Sequence, residues 1–484
     1  MIEIRNLSYW YENTTQPALV EITLEIQEGE FVVLTGPSGC GKSTLALAIG
    51  GYLIPQFGGR VEGTLRVNGL DALSSPPYQV AEAVGLVQQN PENQFCTLTV
   101  ADEIAFGLEN RCLPPKRIQE KLSWALEIVH ASHLRDRPLS TLSGGEKQKI
   151  AIASMLVADP RVLIFDEPTS NLDPTATAAI FKVLDTIRRE LAITIIVIEH
   201  KLGFLRRFHP RLIRMEGGRI IEDAGQIPPA QPPTFRQPAP AGPILASTQR
   251  LGHHYGPHQA LEGIDLTLYG GQLVAVMGDN GSGKTTLLRS LMGLLQPSTG
   301  EVWVLGREMR QWRVSELARH VGYLFQNPDH QLLANTVWDE AILLGRNLQI
   351  LKEVIPRAEH LLQKTGLGSR RTSHPFQLSY GEKRRLNFIS VTAHKPQIVL
   401  ADEVLIGQDP QNAAYLMEFL RSIADEGGSV LLALHDPQVA LRYADRVLFL
   451  AQGKLLFDAP PQKAFQTLAQ LGYAAYLEGV KGSA

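Results

Sequence analysis

The hydrophobic pattern of this chain consists of short, unbroken apolar runs separated by longer segments with helical spacing. The runs FVVLTG, VLIF and ITIIVI in the first half correspond to QLVAVMG, IVLA and VLLAL in the second. Continuous Val, Ile and Leu runs of this length predict strands buried on both faces of a mostly parallel sheet. Polar residues gather just past the carboxyl ends of these strands, where open α/β sheets place ligands. The predicted fold class is therefore α/β, twice.

The two halves repeat the same motifs. GPSGCGKST at residues 36–44 recurs as GDNGSGKTT at residues 278–286. Four further elements accompany each copy in the same order, namely QQNP or FQNP, LSGGE or LSYGE, VLIFDE or IVLADE, and a histidine after TIIVIE or SVLLAL. The lysines of the first motif are 242 positions apart and the histidines are 235 positions apart. A nearly constant offset indicates a duplication at domain scale.

The duplication predicts two domains, 1–225 and 245–484, joined by a Pro-rich segment at 226–244. That segment reads QIPPAQPPTFRQPAPAGP from residue 226 onwards and is too rich in proline for a helix or a central strand. One interpretation is a spacer that lets the two domains face each other. A solvated tether with no other role remains an equal alternative.

Composition narrows the function classes. The net charge of −3 gives no global basic field that would attract nucleic acid or anionic lipid, so we expect neither partner. Three cysteines without paired spacing predict neither a disulfide framework nor a zinc site. The longest apolar runs fall far below membrane-spanning length, so we expect no direct membrane insertion. A role at a membrane would require partner proteins.

The glycine-rich motifs predict two phosphate-binding loops. Gly36 and Gly41 bracket a turn whose N–H groups can face phosphate oxygens, Lys42 supplies a charge for the β- and γ-phosphates, and Ser43 a hydroxyl for Mg²⁺. The following helix adds its N-terminal dipole. A plain glycine turn is the competing interpretation of either copy alone. The predicted ATP-binding residues of the two loops are Gly36, Ser38, Gly39, Gly41, Lys42, Ser43, Thr44, Gly278, Asn280, Gly281, Gly283, Lys284, Thr285 and Thr286.

The strand-end polar residues predict the chemistry. An aspartate held next to Mg²⁺ and a following glutamate that polarises a water molecule suit phosphoryl transfer, and a nearby histidine could hold that geometry. The competing interpretation of each Asp-Glu pair is that it caps the next turn. The competing interpretation of each histidine is a structural role. The predicted catalytic residues are Glu167, Glu403, His200 and His435. The predicted Mg²⁺ ligands are Ser43, Gln89, Asp166, Thr285, Gln326 and Asp402.

LSGGE and LSYGE, lying between the phosphate loop and the Asp-Glu pair, resemble the signature motif of ABC-type ATPases over almost the whole chain outside the Pro-rich segment. The resemblance implies two tandem P-loop ATPase domains, each with a mostly parallel sheet core and an α-helical subdomain. It also implies that two ATP molecules are sandwiched head to tail. The site built on Lys42 would then include Ser379 and Gly381, and the site built on Lys284 would include Ser143 and Gly145.

In the same family an aromatic ring stacks on adenine, and Tyr11 and Tyr255 occupy the matching positions. For each tyrosine alone, simple packing is the competing interpretation.

The segments QQNPENQFCTLTVADEIAFGLEN and FQNPDHQLLANTVWDEAILLGRN resemble those of ATPases in energy-coupling-factor (ECF) importers for vitamins and transition metals. The resemblance implies two integral membrane partners, a transmembrane component and a substrate-binding component, and a peripheral location on the cytoplasmic face of the membrane. If these segments meet membrane helices, we expect charge reversal at Glu103 or Glu340 to weaken assembly. The competing interpretation is an Asn-Pro turn followed by a surface helix.

Two alternative functions stay open at this stage. A soluble tandem ATPase acting on ribosomes or nucleic acid is disfavoured by the short Pro-rich linker, the few cysteines and the lack of a basic patch. The fused ATPase of a sugar importer is disfavoured by the NPENQ and NPDHQ segments.

The second half departs from the family pattern. Tyr380 replaces the first glycine of the signature, Val404 replaces a proline and Gln408 a leucine. Because these elements would serve the site built on Lys42, we expect that site to be the slower one.

The histidines of GHHYGPH, His253, His254 and His258, have no carboxylate or cysteine nearby in sequence, which disfavours a metal site.

Overall fold

The computed structural model describes residues 1–229, 236–237 and 240–478. The chain divides into two compact units, one up to residue 230 and one from residue 231. The predicted linker lies partly outside the described residues, at 230–235 and 238–239, and so does the end of the predicted second domain, at 479–484. Arg236, within that linker, pairs with the buried Asp445 of the second unit at 3.3 Å.

The first unit contains a mostly parallel sheet and a smaller antiparallel one. Its strands are β1 (Ile2–Trp10), β2 (Leu19–Ile26), β3 (Phe31–Thr35), β4 (Arg60–Val67), β5 (Leu70–Asp71), β6 (Val84–Val87), β7 (Val162–Asp166), β8 (Thr194–Ile198), β9 (Arg211–Glu216) and β10 (Arg219–Ala224). Its helices are α1 (Lys42–Ile49), α2 (Leu53–Phe57), α3 (Pro77–Ala83), α4 (Val100–Glu109), α5 (Pro115–Ile128), α6 (Gly144–Leu156), α7 (Pro174–Leu191) and α8 (Leu202–Leu205). The six-stranded sheet has the order β10-β9-β3-β8-β7-β6, parallel except for the edge strand β10. The four-stranded sheet has the order β2-β1-β4-β5 and is antiparallel.

The second unit repeats this architecture. Its strands are β11 (Ile244–Tyr255), β12 (His258–Tyr269), β13 (Leu273–Met277), β14 (Thr299–Val304), β15 (Arg307–Glu308), β16 (Val321–Leu324), β17 (Ile398–Asp402), β18 (Ser429–Ala433), β19 (Arg446–Ala451) and β20 (Lys454–Ala459). Its helices are α9 (Lys284–Leu291), α10 (Val314–Leu317), α11 (Val337–Asn347), α12 (Leu351–Lys364), α13 (Tyr380–Thr392), α14 (Pro410–Asp425), α15 (Pro437–Tyr443), α16 (Pro461–Gln470) and α17 (Ala475–Glu478). The large sheet runs β16-β17-β18-β13-β19-β20 and the small one β12-β11-β14-β15. The predicted α/β class is confirmed in both units.

The apolar runs are buried on both faces of each large sheet, as their unbroken pattern predicts. On β3, Val33 packs into the cluster formed with the helices α4 to α7, whereas Val32 and Leu34 pack against the antiparallel sheet and α1. On β13, Ala275 and Val274 divide between two clusters in the same way. In the second unit, α11, α12 and α13 enclose an apolar cluster of their own, which is the expected α-helical subdomain.

Candidate functional site

The phosphate loop of the first unit connects β3 to α1 and depends on glycine at two positions. Gly36 has φ +145° and Gly41 φ +101°, in the region that side-chain-bearing residues avoid. A Cβ at Gly36 would lie 2.1 Å from the carbonyl oxygen of Met215, and one at Gly41 2.6 Å from that of Ala18. The backbone is therefore fixed against neighbouring strands while its open side faces solvent.

The loop of the second unit has the same geometry between β13 and α9. Gly278 and Gly283 have φ +144° and +106°, and added Cβ atoms would meet the carbonyl oxygens of Leu450 and Ala260 at 2.1 and 2.6 Å. The loop tips are exposed, at Ser38, Gly39, Asn280 and Gly281, while Thr44 and Thr286 are buried in the first turns of α1 and α9. Two separately encoded loops thus adopt one conformation.

The loop lysines are buried and fold back over their own loops. Lys42 Nζ donates hydrogen bonds to the carbonyl oxygens of Gly36 at 2.9 Å and Pro37 at 2.8 Å. Lys284 Nζ donates to those of Gly278 at 2.8 Å and Asp279 at 3.0 Å. Each ammonium group therefore lies at the mouth of its loop, where phosphate oxygens can take over these contacts.

An aspartate at the end of a buried strand lies beside the hydroxyl that follows each lysine. Thr285 Oγ1 donates to Asp402 Oδ1 at 3.1 Å, and Ser43 donates to Asp166 in the first unit. Burial raises the pKa of both aspartates above its ordinary value. Hard oxygen ligands of this kind, a hydroxyl beside a carboxylate, suit Mg²⁺.

The second unit adds a contact that the sequence did not indicate. The buried Tyr323 donates its hydroxyl proton to Asp402 Oδ2 at 2.9 Å. Burial and the Asp402 charge raise the pKa of Tyr323. The corresponding position of β6 in the first unit is Leu86, so only Asp402 has this partner. The one available signal was a lone tyrosine in an otherwise apolar strand.

Each predicted catalytic glutamate is held between a histidine and a glutamine. Glu403 Oε1 lies 2.7 Å from His435 Nε2, and Gln326 Nε2 donates to Glu403 Oε2 at 3.1 Å. Glu167 repeats this arrangement with a longer histidine distance, 3.3 Å from His200 Nε2, and accepts a hydrogen bond from Gln89 Nε2 at 3.0 Å. The structure thus brings together, within each unit, three residue types that lie far apart in sequence.

The two glutamates share a strained backbone. Glu167 has φ +47° and Glu403 φ +48°, and such conformations cost about 1–3 kcal/mol for a residue with a side chain. Their N–H groups donate to the carbonyl oxygens of Ile198 and Ala433 on the adjacent strands, at 3.0 and 3.1 Å. These bonds anchor the strained backbone of each glutamate to the adjacent strand.

The environment of Glu403 keeps its carboxyl group ionised. Burial alone would raise its pKa, but the hydrogen bond and charge of His435, together with Lys284, lower the pKa below its ordinary value. Lys284 Nζ lies 3.5 Å from Glu403 Oε1. An ionised carboxylate at the mouth of the loop can accept a hydrogen bond from water and orient that water for attack.

The signature residues form N-terminal caps of two helices. Ser143 caps α6 and Ser379 caps α13, each in a capping box in which the serine N–H donates to a glutamate three residues later, at 2.7 Å for Glu146 and 2.8 Å for Glu382. Gly145 and Gly381 lie in the first turn of these helices. The exposed start of a thirteen-residue helix suits an anion.

The two predicted adenine-stacking tyrosines have different surroundings. Tyr11 packs edge-on against Tyr9 and Phe57, and its hydroxyl lies 3.0 Å from Thr44 Oγ1 on α1. A cavity of about 540 Å³ beside it is lined by Trp10, Tyr11, Asn13 and Arg60 among others. Tyr255 is exposed and packs edge-on against His253. Of these two tyrosines, it is Tyr11 that contacts the phosphate-loop helix of its own unit in the described part of the chain.

The departures in the second unit change local packing. Tyr380 is partly exposed and lies against Gly407, where an added Cβ would be 3.3 Å from the Tyr380 ring. Val404 is fully buried. Gln408 Nε2 is buried without a hydrogen-bond partner among the described residues, whereas Leu172 at that position in the first unit is simply buried in the apolar cluster.

Glu103 and Glu340 are not surface contacts, which corrects the expectation that their charge reversal would report on docking alone. Glu103 is 7% exposed and accepts hydrogen bonds from the N–H groups of Cys96 and Thr97 at 3.0 Å. Glu340 is 2% exposed and accepts from Leu333 and Ala334 at 2.8 Å. Reversing either buried charge would disrupt the loop before α4 or α11.

The histidines of GHHYGPH lie on and around the β11–β12 turn. His253 is buried, with Nδ1 at 3.0 Å from the carbonyl oxygen of Gln296. His254 pairs with Gln259 in the strand register. Within residues 1–229 and 240–478, no cluster of three or more His, Cys, Asp or Glu side chains could hold a metal ion.

ATP and Mg²⁺ fit the residues present. The loop tips are open, since a Cβ added at Gly39 or Gly281 would meet no described atom within 4 Å, and the hydroxyl–aspartate pairs are hard oxygen ligands. Mg²⁺ would be held by Ser43, Asp166 and Gln89 in one unit and by Thr285, Asp402 and Gln326 in the other. It would supply positive charge against the phosphates.

Comparisons with known proteins agree with this geometry. The family model described as ABC transporter matches residues 19–170 and 261–405. The chain is 34% identical to a putative HMP/thiamine import ATP-binding protein, YkoD, of Bacillus subtilis, over 96% of this chain and 92% of that protein. It is 35% identical to a putative ABC transporter ATP-binding protein of Methanosarcina mazei, over 95% of each.

Among solved structures, CbiO1 of Clostridium perfringens, part of an ABC transporter complex CbiONQ, covers 48% of this chain and 98% of its own, with 26% identity and a TM-score of 0.42. The family assignment rests on the sequence matches, which extend over both units. The chain belongs to the ABC transporter family, as an ATP-binding subunit that hydrolyses ATP.

Proposed function

We propose that this chain energises an ECF-type importer for a vitamin or a transition-metal ion. It would work as a peripheral protein on the cytoplasmic face of the membrane, bound to a transmembrane component and a substrate-binding component. No helix in the described part of the chain has the length and apolar character needed to cross a bilayer. The two membrane components would provide the path across the bilayer.

The observation that carries this proposal is a pair of loops, one in each unit, that present a leucine to solvent. Leu98 is 83% exposed and Leu333 78% exposed, each in the segment that follows the Gln89 or Gln326 loop. The buried Glu103 and Glu340 hold these segments through backbone hydrogen bonds. In the proposed complex these leucines would be buried against the membrane partner, on a support that the two glutamates hold in place.

The solute class is supported by sequence similarity. The Bacillus subtilis relative is named for import of HMP and thiamine, a vitamin. The segments after Gln89 and Gln326 also resemble those of ECF ATPases, which serve vitamins and transition metals. In such importers a separate membrane subunit selects the solute, so the choice of solute lies outside this chain.

Catalysis would use two ATP molecules sandwiched head to tail between the units. In each site the loop lysine would contact the β- and γ-phosphates, while Glu167 or Glu403 orients water and His200 or His435 holds that glutamate. The signature of the opposite unit would close the site. ATP binding would bring the units together and product release would separate them, moving the membrane partner in each cycle.

Affinity purification from membranes of the source organism, with mass spectrometry of the bound proteins, tests the assignment. We expect two integral membrane proteins to co-purify with the wild type and to be lost from the Leu98→Arg, Leu333→Arg double variant. Tyr78→Arg, at another exposed apolar position, should retain them, and basal ATPase should persist in both variants. Co-purification of ribosomes, or unchanged membrane partners in the double variant, would contradict the proposal.

A further inference from the structure

The second unit contains a cavity that the nucleotide chemistry does not use. It has a volume of about 360 Å³, and its lining includes Leu245, Arg357, Lys395, Gln397, Ile423 and Glu426. It lies where β17 and β18 begin, whereas Asp402 lies where β17 ends. The phosphate loop adjoins the carboxyl ends of these strands. The cavity, called the Arg357 cavity below, therefore lies at their opposite, amino ends.

The charges around the cavity are unbalanced. Arg357 Nη2 and Lys395 Nζ approach the same oxygen of Glu426, at 3.9 and 3.8 Å, which is too long for hydrogen bonds. Arg357 Nη1 is buried and has no hydrogen-bond partner among the described residues. Burying a guanidinium nitrogen without a hydrogen-bond partner is costly, and the partial burial of Arg357 lowers its pKa. Two cations therefore share one distant carboxylate.

In the first unit, the cation at the position of Arg357 has a carboxylate partner. Lys121 and Arg357 are each the seventh residue of a fourteen-residue helix, α5 or α12. Lys121 Nζ donates to the carboxylate of Asp159 and to the carbonyl oxygen of Val157, the latter at 3.1 Å. In the second unit the residue that corresponds to Asp159 is Lys395. The repeat has thus exchanged an internal counter-ion for a second cation.

We propose that the Arg357 cavity binds a small oxyanion of the phosphate class, either inorganic phosphate or the phosphate group of a small metabolite. Arg357 offers a planar fork of donors for phosphate oxygens and Lys395 a point charge. The side chain of Glu426 is 60% exposed, so it can turn into solvent when an anion takes its place. The anion would replace the counter-ion that Asp159 supplies in the first unit.

Occupancy of this site would join two separate parts of the second unit. Arg357 belongs to α12, whose apolar face packs in the helical cluster with α11 and α13. Lys395 lies three residues before β17, in the large sheet. An anion held by both Arg357 and Lys395 would tie the helical subdomain to the sheet core and restrict movement of the one against the other.

Calorimetric titration of inorganic phosphate into the full chain tests the site. The protein is first saturated with Mg²⁺ and a non-hydrolysable ATP analogue, so that both phosphate loops are occupied, and ionic strength is held constant with chloride. We expect saturable binding with one phosphate per chain and a rise in melting temperature. A parallel titration with ribose 5-phosphate distinguishes the sources, because tighter binding of the sugar phosphate identifies a metabolite and tighter binding of phosphate the free ion.

The decisive variant is Lys395→Asp, which restores the first unit's counter-ion. We expect it to weaken phosphate binding at least tenfold while the protein without phosphate becomes more heat-resistant. Arg357→Gln should lose binding to a similar extent. Lys352→Gln, which removes an exposed charge from the same helix, should bind as the wild type does. Absence of saturable binding of either compound, or equal affinity in wild type and Lys395→Asp, would overturn the proposal.

Discussion

The hydroxyl of Tyr476 donates a 2.9 Å hydrogen bond to the carboxylate of Asp279, in the phosphate loop of the second unit. Tyr476 lies on α17, is fully buried and packs edge-on against Phe449. The first unit has Pro37 at the position of Asp279. A residue 197 positions away in sequence therefore holds one of the two loops.

Replacing Tyr476 by phenylalanine should weaken nucleotide binding at the second loop. The variant keeps the ring but leaves a partly buried carboxylate without this donor, which costs about 1–3 kcal/mol. We expect the affinity for ATP at the site built on Lys284 to fall by about one order of magnitude, a factor that corresponds to 1.4 kcal/mol. Fluorescent-nucleotide titration of a Lys42→Ala background, which isolates this site, measures the effect.

Tyr473→Phe is the matched control. Tyr473 also packs against Phe449, but within the described residues its hydroxyl makes no hydrogen bond to the phosphate loop. It should bind nucleotide like the parent protein. If Tyr476→Phe binds equally well while melting at a lower temperature, the hydrogen bond stabilises the fold without positioning the loop.

A bulky substitution in one signature should damage the opposite site. Ser143→Arg places a long cation where a γ-phosphate of the nucleotide on Lys284 would approach, so head-to-tail pairing predicts loss of trapped nucleotide at that site. Ser143→Ala is the milder comparison, since it removes the hydroxyl that caps α6, worth about 1 kcal/mol, without adding bulk or charge. Photolabelled nucleotide mapped to peptides identifies the affected loop. Loss confined to the Lys42 loop would contradict the pairing.

The capping box of α13 should make stability depend on acid pH. Burial raises the pKa of Glu382, but the hydrogen bond from Ser379 and nearby arginines lower it below 4.5 overall. Because the folded pKa is the lower one, this glutamate stabilises the fold above pH 4.5, and the contribution is lost as pH falls through the folded value. Glu382→Gln should therefore flatten the acid decline of the urea midpoint, unlike the exposed Glu353→Gln. An unchanged slope would exclude this contribution.

Most of the fold could be predicted from the sequence, because the spacing of its apolar residues distinguishes buried strands from helices. Unbroken apolar runs such as that of β7 cannot form half-exposed strands, and the repeat supplied a second copy as a check. Glycine at positions 36 and 41 indicated the phosphate loop. The structure gives the reason, because a side chain at either position would collide with the carbonyl oxygen of Met215 or Ala18.

Other features needed three dimensions. Glu103 and Glu340 look like surface charges in an amphipathic helix, yet each folds back onto backbone N–H groups six or seven residues earlier. Tyr323 and Tyr476 act on Asp402 and Asp279 through contacts that no local spacing encodes. Such contacts depend on which strands and helices become neighbours, and that is settled by tertiary packing.

The two glutamates that follow the strand-end aspartates should contribute unequally to turnover. Glu403 is 10% exposed, with His435 at 2.7 Å, whereas Glu167 is 22% exposed, with His200 at 3.3 Å. The tighter arrangement orients water better, and under head-to-tail pairing the Glu403 site would also face the unmodified LSGGE signature. Replacing either glutamate by glutamine should slow its own site about 10²-fold or more, since the amide cannot act as a base.

We therefore expect Glu403→Gln to lower steady-state ATPase at least as much as Glu167→Gln, and the double variant to trap a closed, ATP-filled form. Phosphate release at saturating MgATP measures the first effect and nucleotide retention after gel filtration the second. Because both substitutions keep side-chain shape, equal melting temperatures serve as the control for folding. If Glu167→Gln alone abolishes turnover while Glu403→Gln stays near wild type, the more open glutamate is the principal base, and the burial and close histidine contact of Glu403 reflect packing instead.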